Sequence, residues 1–200
     1  MKNKFFELPI PTRDGQFTAR YSEKGLAGMD FPFRSAAVPA AGSHAVPVRD
    51  SRSGSKMPPA PAGVGVRAAT ARTLAVKTGR VPARIRAWHR TAEAALKSIL
   101  AGRAAKVMPP LDLTGGTEFQ QAVWRELRKI SFGKTRSYGE IARAIGKAGA
   151  VRAVGGACGA NPVPVLVPCH RVLAAHGKIG GFGGGLDWKR RLLACEGVRL

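Results

Sequence analysis

The sequence is short of acidic residues: 12 Asp and Glu stand against 33 Lys and Arg, which gives a formal net charge of +21 at pH 7. No acidic residue occurs between Asp50 and Glu93. Residues 1–110 carry 19 basic and 6 acidic residues, and residues 111–200 carry 14 and 6, so both parts are basic. Such an excess favours a polyanionic partner, nucleic acid before membrane. A solvated basic tail is the alternative for part of the charge.

Cysteine and long apolar runs are also scarce. Cys158, Cys169 and Cys195 are the only three cysteines, and this odd, low count argues against a disulfide scaffold and for a reducing compartment. No Cys-x-x-Cys or His-Glu-x-x-His pattern occurs, so the sequence predicts no zinc site. No apolar stretch is long enough for a signal peptide or a bilayer span. We therefore expect a soluble cytoplasmic protein.

Composition and periodicity divide the chain into three parts. Within residues 1–82, two strand-like segments at 17–21 and 26–31 flank a tight turn, and residues 33–82 have the Ala, Pro, Gly and Ser content of a linker. Residues 83–110 begin with apolar residues at helical spacing, which predicts a connecting helix. The third part, residues 111–200, contains most of the recognisable motifs.

Residues 111–200 predict four helices. Two capping boxes, at Thr117–Gln120 and Ser137–Glu140, each begin a helix, and a third helix is predicted over residues 150–160 after a short Gly-containing turn. Helix, short turn, helix is the outline of a helix-turn-helix motif. We expect Asp187 to cap the last helix and Glu196-Gly197 to end it.

The predicted third helix contains three glycines, each of which costs a helix roughly 1 kcal/mol relative to Ala. Glycines at this cost indicate a close approach, either to a neighbouring helix or to a DNA backbone or groove. Small side chains cannot read base edges, so a DNA-binding helix of this kind would have little sequence preference. Arg152 is the long side chain of the helix, and it fits insertion into the base stack, a phosphate contact or an ordinary surface position.

The segment around Cys169 indicates a nucleophilic site. We expect Val165–Val167 to form a short buried strand that ends at Pro168, which leaves Cys169 and His170 at the edge of a cavity. A thiolate is the nucleophilic form of cysteine, and a histidine network is one way to produce it. A buried structural cysteine and a cysteine hydrolase are the alternatives on these residues alone.

The stretch after Val172 predicts a hairpin-like turn around His176–Lys178 and then a glycine-rich segment at 180–185. The glycine-rich segment lacks the Lys-Ser/Thr pair of a phosphate-binding P-loop, so we reject that interpretation. A pocket wall is the function we expect for it.

Taken together, these motifs resemble the O6-alkylguanine-DNA alkyltransferases over about residues 83–200. The matching pieces, in the family's order, are Phe119–Trp124, Ser137–Glu140, Arg152–Ala157, Asn161-Pro162, Pro168–Val172, and Leu192-Leu193 with Glu196-Gly197. The resemblance implies an α/β protein. It would have a small, degenerate ribonuclease-H-like N-terminal part and a helical C-terminal domain of winged helix-turn-helix type.

The resemblance also implies a role for each catalytic residue. Cys169 would be the nucleophile and alkyl acceptor, and His170 would deprotonate it through a water molecule. Glu196 would orient His170 and balance its charge. Tyr138 would stabilise or protonate the guanine leaving group, and Asn161 would hold the turn of the active site.

The implied DNA-binding residues lie mainly in the predicted helix-turn-helix. Arg152 would replace the flipped-out base, and Tyr138, Lys147, Gly155 and Gly156 would also contact DNA. Rotating a base out of the duplex costs a few kcal/mol, and the cost is lowest for a damaged base. The protein would therefore flip damaged bases more readily than intact ones.

The implied activity is DNA repair by a methyltransferase that acts once. The substrate would be double-stranded DNA containing O6-methylguanine, with O4-methylthymine as a second candidate, and the acceptor would be the protein's own cysteine. The resemblance implies no cofactor, no metal and a monomer. An alkyltransferase-like protein that only senses alkylated DNA is a rival, but its relatives lack the acceptor that Cys169 supplies.

Three departures from the family pattern bear on this interpretation. Phe182 stands where the family often has Tyr, and Gly183 stands where many members have a larger or hydroxyl-bearing residue. We therefore expect one polar contact to the guanine to be missing. The zinc ligands of some animal members and the four-cysteine sensor module of the adaptive-response members have no counterpart, which argues against a transcriptional activator.

Overall fold

The computed structural model describes residues 5–32 and 80–200. Of the predicted linker, residues 33–82, the part from 33 to 79 therefore lies outside the described residues. The strands are β1 (Phe6–Thr12), β2 (Gly15–Tyr21), β3 (Leu26–Asp30), β4 (Arg136–Ser137) and β5 (Val172–Leu173). The α-helices are α1 (Ala83–Leu100), α2 (Glu118–Leu127), α3 (Tyr138–Ala144), α4 (Val151–Gly159) and α5 (Leu186–Cys195). Two single 3-10 turns cover Cys169–Arg171 and Ala175–Gly177.

The N-terminal strands form an antiparallel sheet in the order β1-β2-β3. The strand pair predicted on either side of a tight turn is confirmed as β2 and β3, and Phe17, Ala19 and Tyr21 bury one face. β1 contains Pro9 and Pro11 and was not expected from the sequence. Proline lacks the N–H of a ladder and is tolerated on an edge strand, which is the position of β1.

The sheet is continuous with the rest of the described chain. The N–H of Leu26 donates to the Pro110 carbonyl at 2.8 Å, and the N–H of Asp112 donates to the Leu26 carbonyl at 2.8 Å. The N–H of Met29 donates to the Pro162 carbonyl at 2.8 Å. Apolar side chains of the sheet and of α1 to α5 form one core.

The predicted connecting helix is confirmed as α1, which packs against β1 and α5. Its buried residues include Ile85, Leu96 and Ile99, which the helical spacing of apolar residues predicted. Gly102 follows the helix with a φ of +73°, a left-handed conformation in which glycine avoids a steric penalty.

Both predicted capping boxes are present. The side chains of Thr117 and Ser137 accept from the backbone three residues later, and Gln120 and Glu140 bond back to the cap residues. α3 ends at Ala144, and Gly146, two residues further on, has a left-handed φ of +68°. α4 begins at Val151. α4 packs against both α2 and α3.

Two of three further local predictions are wrong. Residues 165–167 are buried but form a turn in which Val165 has a φ of +71°, because apolar content predicts burial and does not by itself distinguish a strand. The turn predicted around His176–Lys178 is present, and the N–H of Ala174 donates to the Lys178 carbonyl at 2.7 Å across it, although β5 before the turn pairs in parallel with β4. Gly185 occupies the N-cap position of α5, and Asp187, which was expected there, lies within the first turn of the helix.

No helix among the described residues is long and apolar enough to cross a membrane.

Candidate active site

The helix pair α3–α4, the turn at Cys169 and the glycine-rich segment before α5 enclose a cavity of about 440 Å³. The lining residues are Tyr138, Val151, Arg152, Gly155, Cys158, Gly159, Cys169, Gly181, Phe182 and Gly183. The pocket wall predicted for the glycine-rich segment is thus confirmed. The indole N–H of Trp124 donates to the Ala157 carbonyl at 2.8 Å and ties α4, which carries one side of the cavity, to α2.

Cys169 begins the 3-10 turn after Pro168 and is 5% exposed. The Asn161 amide donates to its sulfur at 3.1 Å and to the Val167 carbonyl at 2.8 Å. The Asn161 oxygen accepts from the N–H of Val163 at 3.1 Å, so one side chain ties together the whole turn. Burial raises the pKa of the Cys169 thiol, and the Asn161 amide, nearby backbone amides and the charge of Lys189 oppose that rise.

His170 and Glu196 are both buried and in contact. Nε2 of His170 lies 2.8 Å from Oε1 of Glu196. Glu196 also accepts from Nε and Nη2 of Arg171, at 2.8 and 2.9 Å. Burial alone would raise the pKa of Glu196, but the hydrogen bonds and charges of His170 and Arg171 lower it to about 2. Glu196 is therefore an ionised acceptor near neutral pH.

The ionised carboxylate determines the protonation of the His170 ring. Because a carboxylate only accepts, Nε2 must carry the proton that faces Glu196. Burial lowers the pKa of His170, so the ring is neutral near pH 7 and Nδ1 keeps its lone pair. Nδ1 is buried without a hydrogen-bond partner among the described residues, and no hydrogen bond joins the His170 ring to the Cys169 thiol.

Tyr138 is the first residue of α3 and faces the cavity. Its hydroxyl donates to the Gly181 carbonyl at 3.4 Å, and burial raises the pKa of the phenol. A side chain at Gly180 would come within 3.1 Å of the Tyr138 ring, so glycine is needed where the two segments meet. A phenol that stays protonated can donate a hydrogen bond to a group bound in the cavity.

Phe182 forms a wall of the cavity and is supported from the N-terminal sheet. The Phe31 ring, just beyond β3, lies 5.6 Å from the Phe182 ring in an edge-on arrangement. Phe31 also packs near Gly184, where an added methyl group would come within 2.7 Å of its ring. The wall therefore depends on residues far away in the sequence.

The predicted DNA-binding residues lie where α3, α4 and the intervening turn reach the surface. Arg152 is exposed at the rim of the cavity, and Lys147 is exposed in the turn. Gly155 faces Tyr138, whereas an added methyl group on Gly156 would meet nothing within 4 Å. Tight helix packing is therefore not the reason for glycine at position 156.

Two buried cations near the site, Arg171 and Lys189, have no role predicted from the sequence. Arg171 holds Glu196 and donates from Nη1 to the Ile130 carbonyl at 2.6 Å. Lys189 is fully buried in α5. The signal for the burial of Lys189 was its spacing, because residues 189, 192, 193 and 196 recur on one helical face whose other members are two leucines and the buried Glu196.

Within residues 5–32 and 80–200, no group of three or more potential ligands is arranged to hold a metal ion. The groups that the structure places at or beside this cavity are the thiol of Cys169, the imidazole of His170, the carboxylate of Glu196 and the phenol of Tyr138.

Comparison with known proteins points to one family. Residues 118–198 match the model of the 6-O-methylguanine DNA methyltransferase, DNA binding domain. A methylated-DNA–protein-cysteine methyltransferase of Mycolicibacterium paratuberculosis is 55% identical over 101 residues, which cover 50% of this chain and 61% of that protein. One of Methanosarcina acetivorans is 55% identical over 82 residues, which cover 41% and 53%. The chain thus spans about three fifths or less of the length of these curated relatives.

Solved structures extend the similarity over more of the chain. The O6-methylguanine methyltransferase of Mycobacterium tuberculosis matches with a TM-score of 0.65 and 32% identity, over 96% of this chain and 92% of that one. A structure of the M. tuberculosis protein OGT in complex with DNA matches with a TM-score of 0.62 and 30% identity, over the same shares. This chain belongs to the family of O6-alkylguanine-DNA alkyltransferases, the methylated-DNA–protein-cysteine methyltransferases.

Proposed function

We propose that this protein repairs DNA by moving an alkyl group from O6 of guanine to the sulfur of Cys169. The observation that carries the proposal is the position of that sulfur. It lines a cavity of about 440 Å³ beside an exposed helix pair, and the Asn161 amide lies 3.1 Å from it. A buried structural cysteine would need neither the cavity nor the donor.

His170 acts as the base. Glu196 accepts from Nε2, which leaves the Nδ1 lone pair as the only proton acceptor on the ring. Since no direct bond joins the ring to the thiol, a water molecule bridges Nδ1 and the sulfur and carries the proton. Glu196 then stabilises the imidazolium that forms.

The thiolate attacks the carbon attached to O6. The sulfur–carbon bond forms as the carbon–O6 bond breaks, and the electron pair stays on the guanine. Tyr138, whose hydroxyl reaches the cavity, donates a proton to the departing base. Tyr138 then recovers a proton from the His170 imidazolium through solvent, so the net change places the alkyl group on sulfur and the thiol proton on guanine. A thioether is a poor leaving group, so each molecule reacts once.

The pair α3–α4 serves as a helix-turn-helix within a winged domain formed by residues 111–200, with α1 as the connecting helix. α4 presents small residues to duplex DNA, and Arg152 at the cavity rim fills the gap left by the flipped base. The three-stranded sheet would be the reduced ribonuclease-H-like part. We propose a cytoplasmic monomer whose partner is double-stranded DNA containing O6-alkylguanine.

Mass spectrometry after mixing the full chain with duplex DNA containing O6-methylguanine tests this function. We expect a gain of about 14 Da on Cys169, with no more than one methyl group per chain. Cys169→Ala should abolish transfer and still bind the DNA. Repeated turnover would favour a cysteine hydrolase, binding without label would favour a damage sensor, and label on Cys158 or Cys195 would refute the assignment.

A further inference from the structure

Lys189 is a buried lysine behind the glycine-rich wall of the cavity, where it bonds to Gly181 of the lining. Its side chain is fully buried, and Nζ donates to the Val172 carbonyl at 2.6 Å and to the Gly181 carbonyl at 3.2 Å. Nζ also lies 5.9 Å from the centre of the Tyr138 ring. An ammonium has three donors, so two carbonyls leave one N–H available.

Lys189 has no acidic partner among the described residues. Glu196, the buried carboxylate of the site, is held by His170 and Arg171. Carbonyl dipoles alone offset the burial of an ammonium poorly, and buried charges are normally paired. A buried lysine without a carboxylate therefore calls for another anion nearby.

Lys189 interacts electrostatically with both thiols of the cavity and with the His170 ring, whose pKa its charge lowers. Burial lowers the pKa of Lys189, and Cys169 and Cys158 oppose that fall. The effect is reciprocal, because the charge of Lys189 lowers the pKa of both thiols. Of the two, only Cys169 also receives a hydrogen bond from a side-chain amide.

We propose that Lys189 is a positioning residue whose ammonium charge stabilises the thiolate of Cys169. Its role as an aid to repair rests on the proposed function, but the stabilisation itself is a property of the free protein. The two carbonyl bonds hold Nζ between β5 and the glycine-rich wall, so the charge is in place before DNA binds. A preorganised charge needs no reorganisation when the anion forms.

Other charged and titratable groups around the sulfur do not replace this charge. They are Tyr138 on α3, Arg152 and Cys158 on α4, His170 and Arg171 in the 3-10 turn, and Glu196 after α5. Arg171 is neutralised by Glu196, and His170 is neutral until it takes the proton. Arg152 is exposed, so water screens it. Among residues 5–32 and 80–200, Lys189 is thus the buried cation without a carboxylate partner.

The test is the pH dependence of Cys169 alkylation by iodoacetamide, measured on the full chain without DNA. Lys189→Gln should move the midpoint to higher pH and slow alkylation at neutral pH by about tenfold for each unit of displacement. Lys189→Arg should keep the midpoint near that of the unmodified protein, because it keeps the charge. Lys178→Gln, at an exposed lysine, is the matched control and should change nothing. A folded Lys189→Gln protein with an unmoved midpoint would overturn the proposal.

A second measurement uses the unmodified protein and does not depend on how Lys189→Gln folds. The ε-carbon resonance of Lys189, followed by NMR, should titrate together with Cys169 and should lose that step once Cys169 is alkylated. A resonance indifferent to alkylation would refute the proposal. Failure of the repair function is distinguishable, since it would appear as absence of methyl label from methylated DNA while the iodoacetamide profile keeps its Lys189 dependence.

Discussion

At the scale of single residues, Glu196 is the most heavily bonded group of the site. It accepts from His170, from two nitrogens of Arg171 and from the N–H of Gly133. Glu196→Gln would leave the buried Arg171 charge unpaired, and we expect the free energy of unfolding to fall by about 3–5 kcal/mol. Urea denaturation measures this loss. Glu23→Gln, at an exposed carboxylate, is the control, and an equal loss in both variants would contradict the expectation.

The ionisation of Glu196 should make the free energy of unfolding depend on pH in the acid range. The pKa of Glu196 is lowered from 4.5 to about 2 in the folded state. Its contribution is therefore fully present above the ordinary carboxyl pKa and is lost as the pH falls from about 4.5 through about 2. Denaturation at a series of pH values should show this loss in the unmodified protein. Glu196→Gln should lack it, and identical acid limbs would contradict the assignment.

Two thiols share the cavity, and the structure predicts that they react differently. Burial raises the pKa of Cys158 to about 12, so it remains a neutral thiol at physiological pH. Cys169 has the Asn161 amide as a donor to its sulfur. Limited alkylation followed by peptide mapping should therefore label Cys169 well before Cys158. Faster labelling of Cys158 would mean that the Asn161 contact does not activate sulfur.

At the scale of elements, the glycines of α4 lower the stability of the helix and leave its exposed face without bulky side chains. An added methyl group at Gly156 meets nothing within 4 Å. Gly156→Ala should therefore stabilise the fold by about 0.5–1 kcal/mol and yet weaken binding to duplex DNA. Thermal unfolding and a binding titration measure the two effects. Unchanged binding would mean that α4 does not approach DNA at this position.

Arg152 at the start of α4 should matter most for duplex substrates. Only duplex DNA leaves a gap in the stack when a base rotates out. Arg152→Ala should therefore slow repair of double strands more than repair of single strands. Parallel single-turnover assays on both substrates provide the measurement. Equal losses would reduce Arg152 to a phosphate contact.

At the scale of the whole molecule, the N-terminal sheet is structurally inseparable from the site. Phe17 packs 5.5 Å from Trp188 of α5, and Phe31 packs against Phe182 of the cavity wall. The sheet also contributes Ile10, Phe17 and Tyr21 to the common core. Removal of residues 1–82 should therefore prevent folding, although every residue with a proposed catalytic role lies beyond Asp112.

The basic segment between the described parts permits a narrower experiment. Residues 33–79 carry seven basic residues and Asp50 as the single acidic one. Replacing these seven with glutamine should leave methyl transfer to Cys169 intact and flatten the salt dependence of binding to undamaged duplex. Each lost phosphate contact lowers the slope of log affinity against log salt by about 0.9, so we expect a change of roughly one to three. An unchanged slope would mean that these charges are only solvated.

The sequence by itself determined the local features of this protein. Capping boxes, helical spacing and the hairpin turn depend on residues a few positions apart, so α1 to α4 and the β2–β3 pair were predictable. Motif resemblance likewise identified Cys169, His170, Glu196 and Asn161, which the structure brings together in the two hydrogen-bonded clusters of the site. Burial of residues 165–167 was also predictable, but their turn was not, because apolar content does not specify backbone direction.

Only the tertiary structure decided which distant groups complete the site. The support of Phe182 by Phe31 joins residues about 150 positions apart, and no local pattern encodes such a contact. The pairing of Arg171 with Glu196 and the burial of Lys189 without a carboxylate likewise arise only when α5 packs against the turn at Cys169. A charge next to a nucleophile acts through distance and desolvation, and both are properties of the folded core rather than of the sequence order.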